Sequence, residues 1–143
     1  MIKQLLQAVQ TELAKIKSIR YVDEDWGQLH HDSPPVQFPC ALIDADGFNF
    51  QHVSSFAQKA SGDIYITIAD QRLSRTSANA PDQQKERAFE FLDVLEDVQK
   101  KIHLMEVDGF DTLIRKSVKR IRRNNQIREY RIVFGTEFAD ETE

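Results

Sequence analysis

A single cysteine, Cys40, stands among the 143 residues, so no internal disulfide can staple the chain. It lies in the apolar run Pro39-Cys-Ala-Leu-Ile43 with no base beside it, and reads as a buried small hydrophobe rather than a nucleophile. Glycine is scarce too. Gly47, Gly62, Gly109 and Gly135 stand isolated, which excludes a glycine-rich phosphate loop and leaves turn or strand-end roles. No apolar run is long enough to cross a membrane, and Lys3 is not followed by the apolar core of a signal peptide. The expectation is a soluble, intracellular protein. Internal repeats, low-complexity tracts and long linkers are lacking, and the length suits one domain, residues 1–143, with its own core. Positive charge is in deficit: 19 Lys and Arg against 23 Asp and Glu give a net −4, which argues against a general nucleic-acid binder.

Catalytic groupings are equally thin. His30-His31-Asp32 has the flavour of a metal site, but adjacent histidines point apart in an extended segment, and no Cys or Glu at ligand spacing completes it. His52 is remote in sequence, as is His103, which sits near a helix end where a cation suits the helix dipole. Asp44, Asp46, Asp63 and Asp70 flank strands without a spacing that forces two together, so turn and sheet-edge roles are expected rather than acid–base work. No Ser, His and Asp set has motif support. The reading is of a protein without catalysis, cofactor or metal.

What is present is a clear alternation of helix and strand patterns. Ile2, Leu5, Leu6, Val9, Leu13 and Ile16 recur at helical spacing and predict an amphipathic helix over Met1 to Ser18. Ile19 to Leu29 reads as extended, anchored by Tyr21 and Trp26 around Asp23-Glu24-Asp25, and Pro34-Pro35 lies in a loop. Cys40 to Ile43 is short and apolar enough for a buried strand, and Gly47 to Phe56 reads as its continuation or as an edge strand. Ile64, Ile66 and Ile68 alternate with Asp63, Tyr65 and Thr67, the signature of a half-buried strand over Ser61 to Gln71. A polar loop, Arg72 to Ala80, leads to Pro81, which suits the first turn of a helix running to about Met105. Its stripe is Ala88, Leu92, Leu95, Val98 and Ile102, widened by Phe89 and Phe91, and Gly109 ends the helical region. This order predicts an α+β fold, a mostly antiparallel sheet with two helices packed on one face.

The last third carries the strongest functional signal. Eight Lys and Arg residues lie between Arg115 and Arg131 in a chain that is acidic overall. Ile114, Val118 and Ile121 fit a capped helix over Asp111 to Arg123 or a strand with a basic face. Tyr130, Ile132 and Phe134 alternate as a strand. Asn124-Asn125 is turn chemistry, so a basic hairpin is preferred, with Gly135 to Phe138 extending its second strand and residues 139–143 frayed. Three roles stay open for Arg115, Lys116, Lys119, Arg120, Arg122, Arg123 and Arg128. They form a solvated face that blocks edge aggregation, a subunit contact with Asp23, Glu24 and Asp25 of a neighbour, or a salt-sensitive, non-specific contact with DNA phosphates.

The layout resembles the tail-terminator, or tail-completion, proteins of long-tailed bacteriophages and prophages. The resemblance rests on the leading helix followed by Phe38-Pro39-Cys-Ala-Leu-Ile43 and on the strand Asp63-Ile-Tyr-Ile-Thr-Ile68 with its polar loop. It rests also on the long helix Pro81 to Met105 before Leu113-Ile-Arg-Lys-Ser-Val118, and on the closing strand Tyr130-Arg-Ile-Val-Phe134. It covers nearly the whole chain as a pattern. At Arg120 to Arg123 the chain is basic where an acidic turn is more typical of that family. The resemblance implies a non-enzymatic virion protein, assembled in the bacterial host cytoplasm, whose copies close into a ring, typically of six. Such a ring caps the tail tube, joins head-connector proteins, and lets DNA pass through its bore. A DNA-binding accessory protein acting through the basic hairpin is the alternative.

Overall fold

A computed structural model describes residues 1–71, 77–123 and 126–141. Helix α1 (Ile2–Ala14) is followed by strands β1 (Tyr21–Glu24), β2 (Cys40–Ser54) and β3 (Ala57–Gln71), then α2 (Asp82–Ile102), β4 (Ile114–Ile121) and β5 (Ile127–Glu141). One five-stranded sheet has the order β1-β2-β3-β5-β4. Only the β1–β2 pair is parallel. The class expected from the sequence, α+β with a mostly antiparallel sheet, is the one observed.

The isoleucine alternation of β3 decides where the core lies. Ile64, Ile66 and Ile68 pair in register with Phe134, Ile132 and Tyr130 of β5, while Ile66 and Ile68 meet Ile43 and Ala41 of β2. These side chains share one face, because residues paired across neighbouring strands point the same way. Leu5, Val9 and Leu13 of α1 and Phe91, Val94, Leu95, Val98 and Ile102 of α2 close over that face in one cluster. Both helices therefore pack on one side, as the periodicity predicts. The stripe of α2 is shifted from its expected position: Phe91 and Val94 are buried, whereas Phe89 and Leu92 look outward. On the opposite face, Leu29, Val36 and Phe38 cover Cys40, Leu42 and Ala69 at one end only. Among the described residues the rest of that face carries no helix.

Several boundaries depart from the sequence reading. Helix α1 stops at Ala14, and α2 starts after Pro81, which stands at its N-cap and not inside its first turn. Extended structure after α1 is confined to four residues. Gln28–His30 forms a 3-10 turn, and Trp26 is 56% exposed and anchors nothing in the core. Residues 114–121 are a strand, which excludes the helical alternative for them; the expected turn at Asn124-Asn125 lies outside the described residues. Of the polar loop expected over 72–80, residues 72–76 lie outside them too. Pairing of β5 with β3 continues to Glu141 opposite Ala57, so Ala139, Asp140 and Glu141 belong to the sheet where a frayed end was expected. Thr142 and Glu143 lie outside the described residues.

Strands β2 and β3 run on past the helices, with β5 beside them, as a three-stranded arm. Phe138 is its anchor, with Phe110, Phe48 and Phe50 ringed around it at centroid distances of 5.0, 5.3 and 6.2 Å. At the tip, Val53 and Phe56 are exposed.

Candidate interaction surface

The acidic and basic segments singled out in the sequence occupy opposite edges of the sheet. β1 is one outer strand and β4 the other. Four inter-strand steps separate them, roughly 19 Å at the usual spacing. Within one subunit the two segments cannot neutralise each other.

A β-bulge decides how the basic residues are distributed. Between Arg115 and Ser117 the register slips, because Arg115 pairs with Phe134 and Ser117 with Val133. The extra residue places Lys116 and Lys119 on the face away from the helices, while Arg115 and Arg120 lie on the helix side. The bulged strand therefore presents cations to both faces.

Several of the sequence candidates are engaged inside the subunit. Arg123 forms an ion pair with Glu129, which is buried, and its guanidinium also reaches His30 Nδ1 at 3.2 Å. Arg128 donates to the Ala88 carbonyl and lies 4.8 Å from the centroid of the Phe91 ring. Lys116 pairs with Asp63 at 3.0 Å, and Arg115 donates to Gln99 Oε1 at 2.7 Å. Lys119, Arg120 and Arg122 are exposed and form no ion pair among the described residues. Those three are the outward-acting part of the basic segment. Arg131, not a sequence candidate, joins them: it faces Lys119 directly across β4 and β5.

The acidic edge is organised by Gln28, a buried polar residue that no sequence pattern announces. Its Nε2 donates to the Glu24 carbonyl at 2.9 Å and its Oε1 accepts the Trp26 amide at 2.9 Å. Asp23 accepts the Tyr21 hydroxyl at 2.7 Å, and Asp25 accepts the Gly27 amide at 3.0 Å. Glu24 is exposed and forms no ion pair among the described residues. The fold adds Asp44 and Asp46 to this edge. Burial pushes the Asp44 carboxyl above its ordinary range, and the charges of Asp46, Asp25 and Glu24 push it further, against a smaller opposite pull from Arg131. Aspartates that the sequence leaves apart thus meet, as a cluster of mutually repelling charges.

Several of the chemically capable side chains are engaged in structural contacts. An open cleft of about 1170 Å³ lies between residues 106–112 and the strands, lined by Asp63, Asp108, Asp111, Lys116 and Glu137. Two of its carboxylates are already in ion pairs, Asp63 with Lys116 and Glu137 with Lys59. Cys40 is fully buried, and burial pushes its thiol up to about 12, far from thiolate chemistry at neutral pH. His31 stacks edge-on against Trp26, and His103 Nδ1 accepts the Arg115 amide at 3.0 Å, a bond to the edge of β4 where a helix-dipole role was expected. Among the described residues no group of three His, Cys, Asp or Glu side chains is placed to hold a metal ion, and no helix is long and apolar enough to cross a membrane.

No protein-family model matches the chain. No curated protein matches it in sequence. Among solved structures the fold is similar to that of a chain in the virion of a native gene transfer agent particle, with a TM-score of 0.63 and 13% sequence identity over 96% of both chains. At that identity the likeness shows a shared fold, spanning almost the full length of each chain.

Proposed function

We propose that the protein is a structural component of a phage or phage-like virion, acting as a tail terminator whose copies close edge to edge into a ring, of about six, over the end of the tail tube. The observation that carries this reading is the placement of opposite charges on opposite edges of one sheet. A cyclic assembly joins two different patches of the same subunit, and complementary charge on the two fixes their register. Glu24, Asp25, Asp44 and Asp46 at one edge and Lys119, Arg120 and Arg122 at the other have the right sign and position for such a joint. The joint works through side chains. The β1 carbonyls of Val22 and Glu24 are already taken by Gln10 and Gln28, so that edge presents carboxylates rather than a free strand. The full-length likeness in fold to a virion chain of a gene transfer agent supports a virion role, and the partners proposed are the tail-tube and head-connector proteins.

The DNA-binding alternative draws less support. The unpaired cations lie on two faces of β4, and Asp44 and Asp63 share the sheet's open face with Lys119. Contacts through Lys119, Arg120 and Arg122, which form no ion pair among the described residues, would give a shallow salt dependence, with a log–log slope near −3 for duplex DNA. The test is sedimentation at low and high salt with Arg122→Glu beside the native chain. The reading requires that the native oligomer loosen with salt and that Arg122→Glu weaken it about tenfold or more. An Arg122→Glu protein that assembles unchanged contradicts the edge pairing.

A further inference from the structure

Lys119 and Arg131 stand directly opposite each other on β4 and β5, on the face of the sheet that the helices leave open. Like charges in that arrangement repel, and a sheet face more often sets opposite charges there. Inside the subunit the relief is partial: Arg131 lies beside the Tyr65 ring and exerts a small pull on Asp44. The Nε of Arg131 is shut off from solvent and has no hydrogen-bond partner, and the guanidinium lies 5.8 Å from the centroid of the Tyr65 ring. Two carboxylates of the same face are committed elsewhere, Glu129 to Arg123 and Asp63 to Lys116. Thr67, beside Arg131 on β3, and Ser117 on β4 add hydroxyls to the same face. Two cations and neighbouring hydroxyls therefore meet on this face, and neither cation forms an ion pair among the described residues.

Toward the other edge Asp44 lies on the same face, and the imbalance there has the opposite sign, with Asp25 and Asp46 close enough to act on Asp44. Asp44 and Lys119 are three strand steps apart, about 14 Å, and within one copy the two imbalances are linked through the small pull of Arg131 on Asp44. Between copies set head to tail they cancel directly. We propose that Lys119 and Arg131 receive a carboxylate from the acidic edge of a second copy, with the exposed Asp46 as its principal donor. This rests on the ring reading above and gives its joint a specific pair of contacts. A single carboxylate fits better than a phosphodiester chain, because a polyanion laid along this face runs over Asp44 and Asp63.

The test uses Lys119→Glu, Asp46→Lys and the native chain in sedimentation and thermal melts. Lys119→Glu converts the repelling pair into an attracting one. It should melt about 1–4 °C above the native chain in dilute solution while losing the ability to assemble. Mixing Lys119→Glu with Asp46→Lys should restore assembly that neither shows alone. Native chains that assemble while Lys119→Glu assembles equally well overturn this contact and leave the ring standing. Native chains that stay monomeric at every salt and concentration, alone and with tail tubes, overturn the ring reading itself. A duplex oligonucleotide that binds the native chain and not Lys119→Glu, with self-assembly unaffected, reassigns the site to phosphate.

Discussion

Asp44 shows how one side chain couples folding to pH. Burial first, and then Asp46, Asp25 and Glu24, raise its pKa above the ordinary 3.8; burial does the same for Asp70. A raised carboxyl binds its proton more tightly in the folded chain than in the unfolded one. Its ionisation therefore costs stability at neutral pH, and that cost disappears as pH falls through the folded pKa towards 3.8. Asp44→Asn should accordingly melt higher than the native chain at pH 7, by about 1–3 °C in dilute solution, and no higher at pH 3.5. Scanning calorimetry at the two pH values decides it, and an equal gain at both contradicts the electrostatic account. The sequence places Asp44 and Asp46 beside a strand but does not bring Asp25 to them, since that meeting depends on the parallel pairing of β1 with β2. Arg123 teaches the complementary lesson. It reads as an outward arginine, yet its partner Glu129 is 1% exposed and draws it inward.

At the scale of the element, the arm depends on one glycine. A Cβ on Gly62 meets the Gly47 carbonyl at 2.5 Å and the Phe48 ring at 2.5 Å, whereas a Cβ on Gly47 meets nothing within 4 Å. Gly62→Ala should cost on the order of 1–3 kcal/mol through overpacking against backbone that cannot step aside, and Gly47→Ala much less. Thermal denaturation compares them, and equal losses contradict the close approach. Element identity was largely legible in the sequence where burial is one-sided. The isoleucines of β3 and the aromatic-aliphatic alternation of Tyr130, Ile132 and Phe134 mark strands because one face meets the core. The distal half of β2 was less legible, since Asn49 to Ser54 are exposed on both faces and leave no alternation to read. The bulge at Lys116 was invisible because it is set by the pairing with β5, and it alone determines which basic residues share a face. The stripe of α2 was read slightly out of phase, as Phe89 and Leu92 are apolar but lie on its outer side.

At the scale of the molecule, sheet order turns a charged sequence into a polar object with two unlike edges. Strand order is non-local, so the opposition of β1 and β4 could not be read from spacing along the chain, although both charged segments could. An acidic edge, a basic edge and an arm with an exposed apolar tip are the features on which the proposed assembly role rests. A joint between two different patches gives a closed ring when its rotation closes on itself and an open filament when it does not. The most direct test is native mass measurement together with electron-microscope imaging of the chain at low salt. The account predicts closed rings of about six 16.6 kDa subunits, near 100 kDa, that fall apart as salt rises. Two-fold dimers, or monomers at all concentrations both alone and with tail tubes, would contradict it.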